Sequence, residues 1–81
     1  MTRSDKLIDR ARDQAGSLTF RELVRLVGLF GFKQSRQRGS HRIFSRQGHP
    51  HFNFQESNGT AKIAQVRQFL DYAREQGWID D

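Results

Sequence analysis

The chain of 81 residues contains no cysteine and one proline. Without cysteine it can form neither a disulfide nor a thiolate metal site. Its longest apolar run, residues 26–30, includes Gly28 and is far shorter than the ~20 residues of a membrane span. The first residues have no apolar stretch behind a basic start, so they do not resemble a signal peptide. We therefore expect a small cytoplasmic protein without a membrane segment.

Acidic residues are missing from the middle of the chain. All nine lie at or before Glu22 or at or after Glu56, and the net charge is +5. Such a basic block is typical of nucleic-acid binding, although a solvated basic face is the common alternative. The six cations of the block are Arg25, Lys33, Arg36, Arg38, Arg42 and Arg46.

Helical signals occur at three places. Thr19 and Glu22 have the spacing of a capping box, and apolar residues recur at helical spacing from residue 20 to residue 30. Gly31 suits the left-handed residue that ends such a helix. A last helix is predicted from residue 60 or 61 to Gly77. Its buried stripe consists of Ile63, Val66, Leu70 and Ala73. After the helix, Trp78 and Ile79 are expected to fold back as an apolar anchor. A weaker pattern at residues 4–14 makes residues 1–17 either an arm or a short helix.

Three short strands are predicted between these helices, at residues 32–37, 41–46 and 51–55, with a turn at Gly39 and Ser40. This order predicts an α+β domain over residues 18–81, in which two helices cover one face of a three-stranded antiparallel sheet. An extra N-terminal helix is compatible with the pattern. The other sheet face is left open for a partner.

The candidate site is the segment from Arg38 to Phe44. His41 follows the turn and has a cation on each side, and histidine can both accept and donate a proton near neutral pH. A turn histidine bonded to a backbone group is the alternative. His49 and His51 raise the question of a metal, but no carboxylate lies near them before Glu56. We expect loop histidines there, no metal and no cofactor.

With Gly-Ser-His opening the second strand, the element order resembles that of the HicA toxins of bacterial and archaeal toxin–antitoxin pairs. The resemblance covers residues 18–78 and rests on the segments 31–32, 38–44, 61–62 and 65–68. Many relatives have a second histidine where Arg42 stands, and many have Pro-Tyr at positions 63–64.

The resemblance implies a fold like the double-stranded-RNA-binding domain and a metal-independent endoribonuclease that cleaves messenger RNA. It makes His41 the catalytic residue. It also implies neutralisation by a HicB-type antitoxin within an oligomeric toxin–antitoxin complex.

RNA cleavage by attack of a 2′-hydroxyl needs a proton acceptor, a proton donor and positive charge near the phosphate. His41 suits either proton-transfer role, and the sequence names no second acid–base group. A domain that binds RNA without cutting it and a DNA-binding regulator remain alternatives. The predicted phosphate-binding residues are Lys33, Arg36, Arg38, Gly39, Ser40, Arg42 and Lys62.

Overall fold

The structure is a computed structural model that describes residues 3–13 and 15–80. The helices are α1 (Arg3–Asp13), a 3-10 turn (Ala15–Ser17), α2 (Phe20–Leu29) and α3 (Ile63–Glu75). The strands are β1 (Lys33–Arg38), β2 (His41–Ser45), β3 (Phe52–Ser57) and β4 (Thr60–Ala61). None of the described helices has the length and apolar character needed to cross a membrane.

The sheet is antiparallel with strand order β1-β2-β3-β4, so the prediction of three strands was wrong. The fourth strand pairs with the end of β3, Thr60 lying opposite Ser57. Asn58 and Gly59 connect them with φ angles of 52° and 78°, the two positive values that a tight type I′ hairpin requires. Residues 60 and 61, predicted to begin the last helix, are therefore in a strand, and α3 begins at Ile63.

The first half of the domain confirms the predicted capping signals. Thr19 accepts a hydrogen bond from the Glu22 amide, and the Glu22 carboxylate accepts one from the Thr19 amide. That amide, together with nearby Arg10, holds the pKa of Glu22 below its ordinary value. Gly31 follows α2 with a φ of 86°, as predicted.

The predicted extra helix is present as α1, although Gln14 lies outside the described residues. Leu7 and Ala11 are buried in the same core as residues from the sheet. The N-terminal segment therefore contributes to the hydrophobic core of the domain.

The core lies between the helices and one face of the sheet. Phe44 and Phe54 point inward from neighbouring strands, and Phe69 of α3 packs against Phe54 and Phe52. The opposite face, called the open face, is formed in β2 and β3 by side chains that alternate with these phenylalanines and are not buried. They are His41, Ile43, Ser45, Asn53 and Gln55.

The prediction for the last helix was wrong about the burial of its first residue and right about the apolar anchor after its end. Ile63 was expected in the buried stripe but is 43% exposed; it is the first residue of the helix, and the burial begins with Val66. At the other end, Gly77 has a φ of 77° and turns the chain so that Trp78 stacks on Phe30 at 5.6 Å between ring centroids. Ile79 is buried, which confirms the predicted anchor.

Candidate active site

The turn between β1 and β2 brings the predicted site to one end of the sheet. Arg38 lies opposite His41 in the register, so only Gly39 and Ser40 connect the two strands. Gly39 has a φ of 59°, the conformation that two-residue hairpins with glycine in the first position adopt. His41, Gly39 and Ser40 are all exposed. The predicted turn is thus confirmed, and it presents His41 to solvent.

An irregularity in β1 determines which cations accompany His41. Gln34 is paired with Phe44 and Arg36 with Ile43, so one extra residue, Ser35, stands between these two successive pairs. The Ser35 hydroxyl donates a hydrogen bond of 3.2 Å to the Ile43 carbonyl. Such a bulge shifts the alternation of side chains by one position.

The consequence of the bulge is a row of three cations on the open face. Directly paired residues of neighbouring strands share a face, so Lys33, Arg36 and Arg38 all lie on the side of His41. Strict alternation would have placed Lys33 on the opposite side from the two arginines. These three residues, all exposed, are called the basic strip.

The His41 ring contacts one side chain of the neighbouring strand. Its Nδ1 lies 3.3 Å from the Asn53 Oδ1. Asn53 was not among the predicted residues, although its position between Phe52 and Phe54 indicates that it faces away from the core. It is the residue of the site that a closer use of strand alternation would have found.

Arg42 lies on the other face of the sheet, away from His41. Its guanidinium binds Glu56 at 2.7 Å and lies 4.9 Å from the ring centroid of Phe20. Its Nε is buried and has no hydrogen-bond partner within the described residues. Arg42 borders a shallow cleft of about 620 Å³ that also includes Thr19 and Arg21. The structure therefore separates Arg42 from the predicted group around His41.

Lys62 is also distant from the basic strip in the topology. It follows β4, at the opposite edge of the sheet from β1, and is exposed at the start of α3. Its side chain makes no capping hydrogen bond to that helix. The predicted phosphate-binding residues thus fall into three places: the strip and turn beside His41, the cleft of Arg42, and the far edge at Lys62.

The other two histidines are not among the strand side chains that form the open face. His49 is half-buried, with its Nδ1 2.7 Å from the Tyr72 hydroxyl and its ring against Trp78. These contacts are typical of a histidine with a structural role. His51 is exposed just before β3. Within the described parts of the chain, no three histidine or carboxylate side chains are grouped as a metal would need.

Comparison with known proteins identifies one family. Residues 20–74, more than half of the chain, match the family described as the HicA toxin of bacterial toxin–antitoxin systems. The matched segment runs from the start of α2 almost to the end of α3 and includes every predicted site residue. No curated protein and no solved structure matches the chain significantly. The resemblance of the fold to the double-stranded-RNA-binding domain therefore stays a prediction.

Proposed function

The chain belongs to the HicA toxin family of bacterial toxin–antitoxin systems, and from this premise we propose that it cleaves messenger RNA with His41 as the catalytic residue. The observation that carries the proposal is the exposed position of His41 at a hairpin end, on the same sheet face as the basic strip. A proton-transfer group beside a row of cations has the chemistry that a phosphodiester requires.

The proposed reaction is transfer of the phosphate within the RNA strand. The 2′-oxygen forms a bond to phosphorus while the bond from phosphorus to the 5′-oxygen breaks, which leaves a 2′,3′-cyclic phosphate and a 5′-hydroxyl. His41 accepts the proton of the 2′-hydroxyl, and the leaving 5′-oxygen takes a proton from the imidazolium or from water. Arg38, directly across from His41, supplies charge that stabilises the phosphorane.

Among the described residues of the open face, His41 is the one histidine, and a single histidine predicts a slow enzyme. The described side chains around His41 on that face are cationic or uncharged, and the nearest carboxylate along β3, Glu56, binds Arg42 on the other face. A positioned acid–base group contributes roughly 10²–10⁴-fold to a rate. A toxin can act at such a rate, because each target molecule needs to be cut only once.

Cleavage of a defined RNA by the purified protein tests the proposal. We expect wild type to cut and His41→Ala to be inactive, and we expect a chelator to leave the wild-type rate unchanged. His51→Ala is the matched control, since it removes an exposed histidine that lies just before β3 and borders a cleft with residues of α3. Equal cleavage by wild type and His41→Ala would refute the role of His41. Growth arrest on induction, absent for His41→Ala, would support it in cells.

The proposed partner is a HicB-type antitoxin that covers His41 within an oligomeric complex. The basic strip carries three cations in six residues, so the covering segment should be acidic or otherwise mimic phosphate. Raising the salt concentration should then weaken the complex, because exposed charges are screened within about 10 Å at 0.1 M salt. Salt-independent binding would indicate that the antitoxin uses another surface.

A second candidate function is RNA binding without cleavage. The presence of only one histidine among the described residues of the open face favours it, because a cation row and a turn are sufficient to hold a phosphate backbone. Binding of single-stranded RNA, duplex RNA and duplex DNA in competition, combined with the cleavage assay, distinguishes the two functions. Tight RNA binding with no product from wild type would select the second.

A further inference from the structure

Asn53 is the one side chain of the described residues that makes a hydrogen bond to the His41 ring, Nδ1 to Oδ1 at 3.3 Å. The contact runs diagonally between neighbouring strands, since Asn53 is paired with Ile43 and His41 with Gln55. Both side chains are exposed on the open face. The other ring nitrogen, Nε2, is therefore the one available to a substrate.

We propose that Asn53 is a positioning residue that fixes the tautomer of His41. A neutral imidazole carries a single ring proton, and the nitrogen that carries it donates while the other accepts. The Asn53 Oδ1 can only accept, so it holds the proton on Nδ1 and leaves the lone pair on Nε2, where a base needs it. This inference rests on the proposed catalytic role of His41.

The type of side chain at position 53 is significant, because an amide orients the ring without adding charge. The groups that face His41 on the open face are Arg38 from β1 and the uncharged Gln55 and Asn53 from β3. None of the helices in the described part of the chain buries this face, on which His41 and Asn53 stay exposed. The carboxylate of Glu56 is engaged by Arg42 on the other face. An amide thus acts here in the manner of the carboxylate or carbonyl that commonly orients a functional histidine.

Two variants of Asn53 and one control separate this role from a merely structural one. Asn53→Ala removes the acceptor, and Asn53→Asp retains it in the same shape but adds a charge. Gln55→Ala is the control, because it truncates the side chain directly across from His41 without removing the hydrogen bond. Asn53 is exposed, so all three variants should fold.

The first readout is the tautomer of His41, measured by ¹⁵N NMR of the ring on the full chain at a pH where the ring is neutral. We expect the Nδ1–H form to dominate in wild type, Gln55→Ala and Asn53→Asp, and to lose its dominance in Asn53→Ala. A dominant Nε2–H form in wild type would overturn the proposal, because Asn53 would then be donating through its amide nitrogen.

The second readout is RNA cleavage. Asn53→Ala should lower kcat roughly threefold to tenfold, the range expected for one ordinary hydrogen bond, with little change in KM. Asn53→Asp should move the rising limb of the pH–rate profile to higher pH, because a neighbouring carboxylate favours the protonated ring. An unchanged kcat in Asn53→Ala, or an equal loss in Gln55→Ala, would overturn the catalytic part of the proposal.

The two readouts also distinguish this inference from the proposed function. If His41→Ala cleaves RNA like wild type, the proposed function fails. Asn53 then has no role in catalysis either. The NMR measurement would still decide whether Asn53 fixes the tautomer. If His41→Ala is inactive and the tautomer does not respond to Asn53→Ala, only the present inference fails.

Discussion

The salt dependence of RNA binding offers a quantitative check of the basic strip. Each cation that contacts a phosphate of a single strand contributes about −0.7 to the slope of log affinity against log salt concentration. Contacts from Lys33, Arg36 and Arg38 predict a slope of about −2.1, which is roughly an 18-fold loss of affinity between 50 and 200 mM salt. Arg36→Gln should reduce the slope to about −1.4 and the loss to roughly sevenfold.

The assay is fluorescence anisotropy of a labelled single-stranded RNA at a series of salt concentrations. All proteins should carry His41→Ala, so that the RNA stays intact during the titration. Circular dichroism of each variant at the same temperature shows that it is folded. The slope is the informative quantity, because a partly unfolded preparation lowers the apparent affinity without changing the number of phosphate contacts.

Arg42→Gln is the matched control, since it removes the same charge from the other face of the sheet. The side chains of Arg42 and Glu56, which form an ion pair, are each about one-third exposed. Loss of this ion pair should therefore cost at most about 1 kcal/mol of stability. We expect the slope to stay near −2.1. An equal fall in slope for Arg42→Gln and Arg36→Gln would refute the division of the cations between two faces.

Three further predictions concern stability and are measured by urea unfolding. Gly28→Ala should raise the free energy of unfolding by about 0.5–1 kcal/mol, because no other group lies within 4 Å of the added methyl group; a loss would contradict this. Phe69→Ala should lower it by about 3–5 kcal/mol, whereas Leu29→Ala, at a side chain 41% exposed, should change it by less than about 0.5 kcal/mol. The pKa of Glu22 lies below its ordinary value of 4.5 in the folded chain, so its ionised form stabilises the fold above that pH and the stabilisation is lost as pH falls through the lower value. Glu22→Gln should therefore flatten the loss of stability as pH falls below about 4.5, and an unchanged slope there would argue against it.

Most of the fold could be predicted because its signals are local. The capping box of Thr19 and Glu22 and the left-handed residue at Gly31 each depend on contacts within a few residues. The missed strand had a local signal too, since Asn58-Gly59 is the typical sequence of a tight hairpin turn. The two residues that follow this turn also suit a helix start, and the last helix is predicted to begin at one of them.

The candidate site was predicted less completely. The sequence placed His41 after the turn and concentrated cations around it, and the register keeps Arg38 beside it. It did not reveal that Arg42 binds Glu56 on the other face, because that contact joins positions 14 residues apart. Asn53 was missed for a related reason: its contact with His41 depends on how β2 and β3 align.

Composition and local spacing therefore decide the secondary structure, the apolar faces and the segment that carries the histidine, because these depend on backbone geometry and neighbouring side chains. The arrangement of the site depends on the sheet. The bulge at Ser35 brings Lys33 to the face of Arg36 and Arg38, and strand register brings Asn53 to His41. A shift of one residue reverses the face of every side chain that follows it, and only the paired strands determine where such a shift occurs.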